Sequence, residues 1–277
     1  MRRPVIDREI PLRVSLHTGG PHRCPYVPGQ IAVNEFLCAE TLDSGMYQSL
    51  MELGFRRSGD IVYRPRCPTC RQCVPIRVVV DAFRPTRSQR RARRRNADVR
   101  VTLGPPEYTG EKWKVYRAYL QYQHGDSAQC NREEFEAFLY RSPTTTVEMT
   151  YWLGDRLLGA GIVDQTPSAL SSVYFYFDPA EARRSLGVFS ALVEIDECRR
   201  RGLTYWYVGY YVGACHTMRY KAAFGPHELL GADGVWRRSV GGGSRAEDSL
   251  HGGSGREAGE NSGPPPWINS TGSAADR

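Results

Sequence analysis

The spacing of apolar residues in the first part of the chain predicts a helix, a strand and a second helix. Residues 46–53 carry apolar side chains at helical intervals, and Gly54 follows as a stop signal. Residues 73–80 (C-V-P-I-R-V-V-V) are rich in β-branched side chains and predict a strand. Residues 87–96 then predict a short basic helix.

The second part of the chain alternates between helical and strand-like spacing. Residues 112–122 and 133–140 predict helices, and Asn131 with Glu134 forms a capping-box pattern before the second. Segments 146–153, 157–163 and 169–177 predict an antiparallel meander, residues 186–201 a helix that ends before Gly202, and residues 205–209 a further strand. This order resembles the GNAT-like acyltransferase fold, a likeness that says little about the substrate.

Glycine and proline divide the chain into three predicted parts. The run L-G-P-P at 103–106 separates a smaller Cys- and Arg-rich α/β domain, 1–104, from a GNAT-like domain, 105–240. Residues 241–277 are dominated by Gly, Ser, Pro and charged residues and predict a disordered tail. The expected fold class is therefore α+β.

The composition of the chain also predicts that the protein binds a polyanion and is located in a reducing compartment. The 277 residues include 40% hydrophobic residues, enough for a sizeable core, and carry a net charge of +7. The charged N-terminal segment does not read as a signal peptide, and no apolar run is long enough to cross a bilayer, so we expect a cytoplasmic protein without a membrane partner. Eight cysteines then indicate reduced thiols or metal ligands.

Several motifs together carry a family resemblance. They are C-P-Y-V-P-G-Q at 24–30, G-F-R-R-S-G-D-I-V-Y-R-P-R-C-P-T-C-R-Q-C-V-P-I-R at 54–77, S-S-V-Y-F-Y-F-D-P at 171–179, R-R-S-L-G at 183–187, and Y-W-Y-V-G-Y-Y-V-G-A-C-H-T-M-R-Y-K at 205–221. These segments, spread over residues 21–236, resemble the arginyl-tRNA:protein transferase family, and the form of the cysteine motif resembles its bacterial branch, the aspartate/glutamate leucyltransferases. The resemblance implies transfer of leucine from leucyl-tRNA to proteins that begin with Asp or Glu, which marks them for degradation. Arginyl-tRNA as donor is the alternative.

This reaction requires little chemistry from the protein. An aminoacyl ester is already activated, and an α-amine with a pKa of about 7.7 to 8.0 is partly neutral near physiological pH. The enzyme must position ester and amine, stabilise the tetrahedral oxyanion and move one proton, so no cofactor is required.

The predicted strand at 171–179 supplies three catalytic candidates. Asp178 is expected to orient the amine or to accept its proton, and Tyr174 and Tyr176 to bind or stack on the terminal adenosine. A turn aspartate before proline and ordinary aromatic strand packing are the alternatives. His216 is a weaker candidate because related sequences carry Lys near this point.

Arginine-rich segments supply the predicted tRNA contacts. Residues 84–96 contain seven arginines, of which Arg87, Arg90, Arg91 and Arg94 are expected to bind phosphates, with a solvated charged helix as the alternative. Arg184 and Gly187 lie in a loop of the kind that binds CoA pyrophosphate in acyl-CoA enzymes. The bulky Phe189 in that loop discourages CoA, so we expect the loop to bind tRNA phosphates instead.

Two cations and a group of cysteines complete the predicted sites. Arg219 and Lys221 are expected to bind the acidic side chain of the acceptor protein or tRNA phosphates, and a solvated basic turn is the alternative. The cysteines at two-residue spacing, with one distant cysteine, form a candidate site for zinc or an iron–sulfur cluster: Cys24, Cys67, Cys70 and Cys73. Eukaryotic relatives carry a C-x-Y-C pair linked to such a cluster, but here Val27 stands in place of its second cysteine.

Two other function classes fit parts of the sequence. An acyl-CoA N-acyltransferase would share the expected fold, but Phe189 and the arginine-rich helix argue against it. A metal-stabilised RNA-binding protein would explain the cysteines and the charge, but it leaves the second domain and the strand-end Asp178 without a role.

Overall fold

The computed structural model describes residues 15–125 and 130–239. The predicted disordered tail at 241–277 lies outside these residues. Within them, the strands are β1 (His17–Thr18), β2 (His22–Arg23), β3 (Ile31–Ala32), β4 (Asn34–Cys38), β5 (Arg56–Ser58), β6 (Ile61–Pro65), β7 (Val74–Val79), β8 (Arg100–Gly104), β9 (Thr146–Leu153), β10 (Arg156–Gln165), β11 (Ala169–Phe177), β12 (Tyr205–Tyr211), β13 (His227–Leu230) and β14 (Trp236–Arg238). The α-helices are α1 (Ser44–Glu52), α2 (Arg87–Arg95), α3 (Gly110–His124), α4 (Arg132–Leu139), α5 (Leu186–Arg200) and α6 (His216–Arg219).

Local sequence signals set the ends of these elements. Asn131 Oδ1 accepts from the Glu134 amide at 2.8 Å while Glu134 Oε2 accepts from the Asn131 amide at 3.0 Å, so α4 begins with the predicted capping box. A second capping box, formed by Thr86 and Gln89, starts the basic helix α2. Gly202 follows α5 with a φ of +68°, the left-handed conformation that ends many helices.

The strands form one large sheet, a smaller one and a two-stranded sheet of β2 and β3. The large sheet has eight strands in the order β14-β13-β7-β12-β11-β10-β9-β8, and the smaller has four in the order β1-β4-β6-β5. β9, β10 and β11 form the predicted antiparallel meander, and α5 then leads to β12, which pairs parallel to β11. This is the strand and helix order expected for a GNAT-like α+β fold.

Helices cover both faces of the large sheet. Neighbouring strand residues point to opposite faces, so Trp206 packs under α5 while Tyr207 packs towards α1 and the small sheet. The helices α3 and α4 lie on the same face as α1, over Tyr176 and Ile162. α2 packs on α5, on the opposite face. Among the residues described, no helix is long and apolar enough to span a bilayer.

The first part of the chain contributes strands to the large sheet. β7 lies between β13 and β12, and β8 forms the edge beside β9, although both precede residue 105. A buried ion pair also joins the small sheet to the large one: Arg57 on β5 donates from Nε and Nη2 to Asp164 on β10, each at 2.8 Å. The division at residue 104 stays a prediction, and the strands before it share a sheet with those after it.

The parallel strands β11 and β12 separate soon after they meet. Their pairing covers only Ala169–Ser171 against Tyr205–Tyr207. Just beyond it, the register of β11 against β10 shifts between Ser172 and Tyr174, and that of β12 against β7 shifts between Tyr207 and Gly209. These β-bulges bend both strands at the point of separation, and a gap opens between them.

Candidate active site

The side chain of Arg56, from β5 of the small sheet, reaches the gap between β11 and β12. Its Nη2 donates to the Ser172 carbonyl oxygen at 2.5 Å, just where β11 leaves β12. The residue is only 6% exposed, and its Nη1 is buried without a hydrogen-bond partner. An unsatisfied donor on a buried cation costs free energy, so this nitrogen is a candidate position for binding an acceptor atom from outside the chain.

Lys221 approaches the same gap from the short 3₁₀ turn Tyr220–Ala223 that follows α6. Its Nζ donates to the Tyr210 carbonyl oxygen at 3.0 Å and to Met218 Sδ at 3.5 Å. Burial, followed by the nearby Arg56 charge, lowers the pKa of Lys221 to about 7, against the opposing influence of Cys73 and Cys215. The ammonium group of Lys221 is therefore easily deprotonated before a substrate binds. A negative charge that enters the pocket would stabilise its protonated form.

Gly209 allows these two cations to approach one point. Its φ is +95°, which L side chains rarely adopt. A Cβ at this position would lie 3.3 Å from Lys221 Nζ and 3.8 Å from Arg56 Nη2. The absence of a side chain in this bulge therefore leaves room where both cationic groups point.

The pocket is electropositive. Throughout residues 15–125 and 130–239, neither Arg56 nor Lys221 forms an ion pair with a carboxylate, whereas the neighbouring Arg57 is fully paired with Asp164. Glu194 is a nearby carboxyl group on α5. The positive charge of Arg56 opposes the rise in its pKa that burial causes, but the two side chains do not form an ion pair. Two buried cationic groups without a paired carboxylate are a candidate site for a small anion.

The three most distinctive sequence segments meet around this pocket. The Tyr26 hydroxyl, from C-P-Y-V-P-G-Q, has its pKa raised well above the usual range by burial and then by Tyr63, Cys73 and Cys215. These groups belong to the 54–77 and 205–221 segments. Three of the motifs that carry the family resemblance therefore meet at one site, although they are far apart in sequence.

The predicted metal ligands also lie beside this pocket. Burial, and then the neighbouring thiols of Cys24, Cys67 and Cys70, raise the pKa of Cys73 to about 12. Across the described ranges, however, no three His, Cys, Asp or Glu side chains have the spacing needed to hold a metal ion. The thiols are neighbours, but their arrangement in the described residues gives no support to a zinc or cluster site.

The predicted tRNA-binding segments lie next to each other. Asn96, at the end of α2, donates from Nδ2 to the Arg184 carbonyl at 2.9 Å, and Arg95 Nη1 donates to Ser185 Oγ at 3.2 Å just before α5. Gln89 of α2 donates to the Ala223 carbonyl at 3.2 Å, in the turn that carries Lys221. The basic helix therefore packs against both the start of α5 and the turn that carries Lys221.

The side chains of α2 and around the start of α5 differ in their exposure and in their partners. Arg87, Arg90, Arg91 and Arg94 are exposed, and Arg90 Nη1 donates to the Pro85 carbonyl oxygen. Arg184 donates to Asp98 at 2.8 and 3.1 Å and to Glu181 at 2.7 Å, so its guanidinium is held by two carboxylates. Gly187 is exposed in the first turn of α5 with open space around its Cα.

Asp178 caps the turn after β11. Its Oδ1 accepts from the Ala180 amide at 3.0 Å and its Oδ2 from Arg156 at 2.9 Å. Tyr174 and Tyr176 point towards α3 and α4, where Tyr176 is fully buried and its hydroxyl lies 3.4 Å from that of Tyr140. Their roles in catalysis stay predictions, and the hydrogen bonds of Asp178 and Tyr176 given above lead to Ala180, Arg156 and Tyr140 rather than to the cationic pocket.

The charged residues near Lys221 in sequence are exposed, whereas Lys221 itself is buried. Arg219 and His216 are exposed on α6, while Lys221 is buried. The chain turns after α6, so Lys221 enters the gap and Arg219 stays at the surface.

Sequence reasoning missed three residues of this site: Arg56, Gly209 and Glu194. The available signal was G-F-R-R-S-G, where two adjacent arginines occupy a short strand that is otherwise suited to burial. Consecutive strand residues face opposite directions, so at least one arginine had to point inwards and needed a partner.

Comparison with known proteins agrees with this convergence of motifs. Residues 22–91 match the family model described as arginine-tRNA-protein transferase, N terminus, and residues 111–231 match the corresponding C-terminus model. The aspartate/glutamate leucyltransferase of Pseudomonas putida (strain W619) is 40% identical over 79% of this chain and 94% of its own length. The protein of the same name from Pseudomonas fluorescens (strain SBW25) is 39% identical over the same shares.

Similarity to solved structures is more distant. The crystal structure of FemX is 10% identical, with a TM-score of 0.39 over 71% of this chain and 79% of that one. Both halves of the transferase model match in order along this sequence, and the relatives match over nearly their whole length. The chain belongs to the arginine-tRNA-protein transferase family.

Proposed function

We propose that this protein is an aspartate/glutamate leucyltransferase, which moves leucine from leucyl-tRNA to the N-terminal Asp or Glu of a protein and so marks that protein for degradation. The observation that carries the proposal is the buried pair Arg56 and Lys221 with no paired carboxylate in the part of the chain described. The names of the relatives support the same donor and acceptors. A cytoplasmic location, where charged tRNA is available, belongs to this proposal.

The pocket explains selection of an acidic acceptor. The side-chain carboxylate of Asp or Glu would accept from Arg56 Nη1, which lacks a partner, and would raise the pKa of Lys221 so that its ammonium stays charged. Charge-assisted hydrogen bonds of this kind are about twice as strong as neutral ones. An uncharged side chain would leave the buried Arg56 charge uncompensated and would not hold Lys221 in its charged form, so it would be rejected. Arg219, exposed on α6, would attract the acidic N-terminus before it enters.

The surface formed by α2 and the start of α5 would hold the tRNA. Phosphates would contact the exposed Arg87, Arg90, Arg91 and Arg94, and the amide of Gly187 in the first turn of α5 would face the 3′ end. Gln89 links this surface to the turn that carries Lys221, so the aminoacyl end would arrive beside the acceptor pocket. Arg184 would position the loop through Asp98 and Glu181 and contact tRNA from its edge.

The chemical step is an aminolysis. The neutral α-amine attacks the ester carbonyl carbon, a C–N bond forms, and the C–O bond to the tRNA ribose breaks. The proton lost by the amine finally joins the ribose oxygen, so atoms balance without a cofactor. Positioning of the two reactants supplies most of what the enzyme must provide.

The test uses purified protein, leucyl-tRNA or arginyl-tRNA with a radiolabelled amino acid, and peptides that begin with Asp, Glu, Arg or Lys. Leucine on the Asp and Glu peptides alone supports the proposal. Arginine on the same peptides would assign the protein to the arginyl branch. Labelling of Arg and Lys peptides, or of none, would overturn the proposed function.

A further inference from the structure

Glu194 joins the two separating strands from beneath the gap. It lies in the middle of α5 and is 1% exposed. Its Oε2 accepts from Trp206 Nε1 on β12 at 2.7 Å, and its Oε1 accepts from Ser172 Oγ on β11 at 3.3 Å. One carboxyl group therefore holds both strands at the place where their backbone pairing ends.

The same contacts lead to the acceptor pocket. Ser172 binds Glu194 through its hydroxyl and Arg56 through its carbonyl oxygen, the latter at 2.5 Å. Arg56 and Glu194 therefore reach Ser172 from opposite faces of the large sheet. The position of Ser172 therefore fixes the guanidinium whose Nη1 lacks a partner.

Burying the carboxyl group of Glu194 inside the protein costs free energy, and the packing of α5 does not require it. Burial raises the pKa of Glu194 to about 7, although the hydrogen bonds from Trp206 and Ser172 and the nearby Arg56 charge favour the ionised form. An apolar side chain would fill the same space without this cost, so the carboxyl group points to a role in the site above it.

We propose that Glu194 is a positioning residue for acceptor selection, which sets the separation of β11 and β12 and orients Arg56 through Ser172. The inference rests on the proposed function, because selection of an acidic acceptor is what Arg56 is proposed to perform. Glu194 itself does not touch the substrate. Its loss is expected to weaken discrimination between acidic and neutral acceptors more than it slows the transfer.

Glu194→Gln is the informative variant because its shape is nearly unchanged. Trp206 Nε1 can only donate, so the Gln oxygen must face Trp206 and the amide nitrogen must face Ser172. That arrangement places a donor where the acceptor of the Ser172 hydroxyl stood, and it removes the carboxylate charge that acts on Arg56. Ser172→Ala is the second variant, since it removes the hydroxyl contact but keeps the carbonyl that binds Arg56. Glu197→Gln is the matched control, a buried carboxyl on the same helix that pairs with Arg200 and Arg201.

The experiment measures kcat and KM with leucyl-tRNA for two peptides that differ only in an N-terminal Asp or Asn, after thermal melts have identified the folded variants. We expect Glu194→Gln and Ser172→Ala to lower the Asp-to-Asn ratio of kcat/KM by about tenfold, mainly through KM for the Asp peptide, while Glu197→Gln keeps the wild-type ratio.

A wild-type ratio in folded Glu194→Gln would overturn the inference, as would an equal loss in Glu197→Gln. If Glu194→Gln does not fold, Ser172→Ala decides by the same criterion. A wild-type enzyme that does not distinguish the two peptides overturns the proposed function, and the inference with it. If the wild-type enzyme prefers the Asp peptide and the folded variants prefer it to the same extent, the inference about Glu194 fails while the proposed function stands.

Discussion

Arg56 Nη2 and Lys221 Nζ face the same point above Gly209, at 3.8 and 3.3 Å from where a Cβ would stand. The small sheet supplies one cation and the turn after α6 the other. Neither is paired with a carboxylate within the described ranges, although both are buried. This pair is the basis of the proposed selection of acidic N-termini.

Replacement of Arg56 separates function from stability when it is compared with its neighbour. Arg56→Lys keeps a positive charge but loses the second donor nitrogen, so kcat/KM for an Asp peptide should fall by about 100-fold with little loss of stability. Arg57→Lys should instead lower the free energy of unfolding by about 3 kcal/mol because Asp164 loses its bidentate partner. Steady-state kinetics and urea denaturation of both variants check this. The account would be contradicted if Arg56→Lys and Arg57→Lys lost kcat/KM to the same extent and had the same free energy of unfolding.

Lys221 should determine an alkaline limit of acceptor recognition. Its pKa of about 7 in the free site means that the anion-binding ammonium is lost as the pH rises through 7, while the α-amine of the acceptor becomes reactive. The profile of kcat/KM against pH for an Asp peptide should therefore be bell-shaped. The groups that influence Lys221 are Arg56, Cys73 and Cys215.

The variant Lys221→Met tests that assignment. It should lower kcat/KM for the Asp peptide and remove the alkaline limb, and the acidic limb should remain because it belongs to the substrate. An alkaline limb of unchanged position in folded Lys221→Met would show that another group causes it.

Gly209→Ala should damage the site by occupying the space between the cations. The new methyl group would lie 3.3 Å from Lys221 Nζ, and the φ of +95° would strain any L side chain. We expect a loss of about tenfold in kcat/KM for Asp peptides and about 1–2 kcal/mol in stability. Gly110→Ala is the control, since it adds a methyl at the start of α3 with nothing within 4 Å. Unchanged kinetics in Gly209→Ala would contradict this account of the pocket.

The arginines of α2 should affect tRNA binding and its dependence on salt. Arg87→Gln/Arg94→Gln should raise KM for leucyl-tRNA with kcat unchanged, and should make the log–log dependence of binding on salt shallower by about 0.7 to 0.9 for each phosphate that is no longer bound. Arg117→Gln/Arg132→Gln removes the same charge from α3 and α4, on the opposite face of the sheet. Equal salt slopes for the two double variants would argue against a specific tRNA surface on α2.

The pH dependence of stability reports on Glu194. Its folded-state pKa of about 7 lies above the usual value of 4.5, so the folded state keeps a proton that the unfolded state releases. The stabilisation from this group is complete below pH 4.5 and is lost as the pH rises through 7. Between pH 5 and 8, Glu194→Gln should therefore gain stability relative to wild type, by at most about 3 kcal/mol. Urea denaturation across this range measures it, and a constant difference would contradict the raised pKa.

Asp178 offers a direct test of the catalytic role predicted from sequence. Asn at this position would still accept from the Ala180 amide, so Asp178→Asn removes the charge but keeps the cap. A proton acceptor here predicts a loss of at least about 100-fold in kcat. A kcat within about threefold of wild type would assign Asp178 to the turn alone.

Much of the fold follows from local patterns. β9 and β11 have the bounds predicted from alternation, and the capping pattern at Asn131 correctly places the start of α4. These signals are local because a strand or helix expresses its own period in adjacent residues. The insertion of β7 between β13 and β12 has no such signal, since it depends on pairing between distant segments.

The site was harder to predict than the elements that carry it. Lys221 was identified from its motif, but the choice between Arg56 and Arg57 depends on Asp164, which lies 107 residues away in sequence. The role of Gly209 likewise depends on a bulge and on two side chains from other elements. Local sequence shows that two arginines are unusual in a short strand, but only the tertiary structure shows which of them is left unpaired.

The central claim is that a buried cationic pocket selects the acidic side chain of the acceptor. The most direct measurement compares kcat/KM of the wild-type protein, with leucyl-tRNA as donor, for two peptides that differ only in N-terminal Asp or Asn. The two side chains have nearly the same size, so their charge decides the outcome. We predict a preference of at least about 100-fold for Asp, and equal rates for the two peptides would contradict the account.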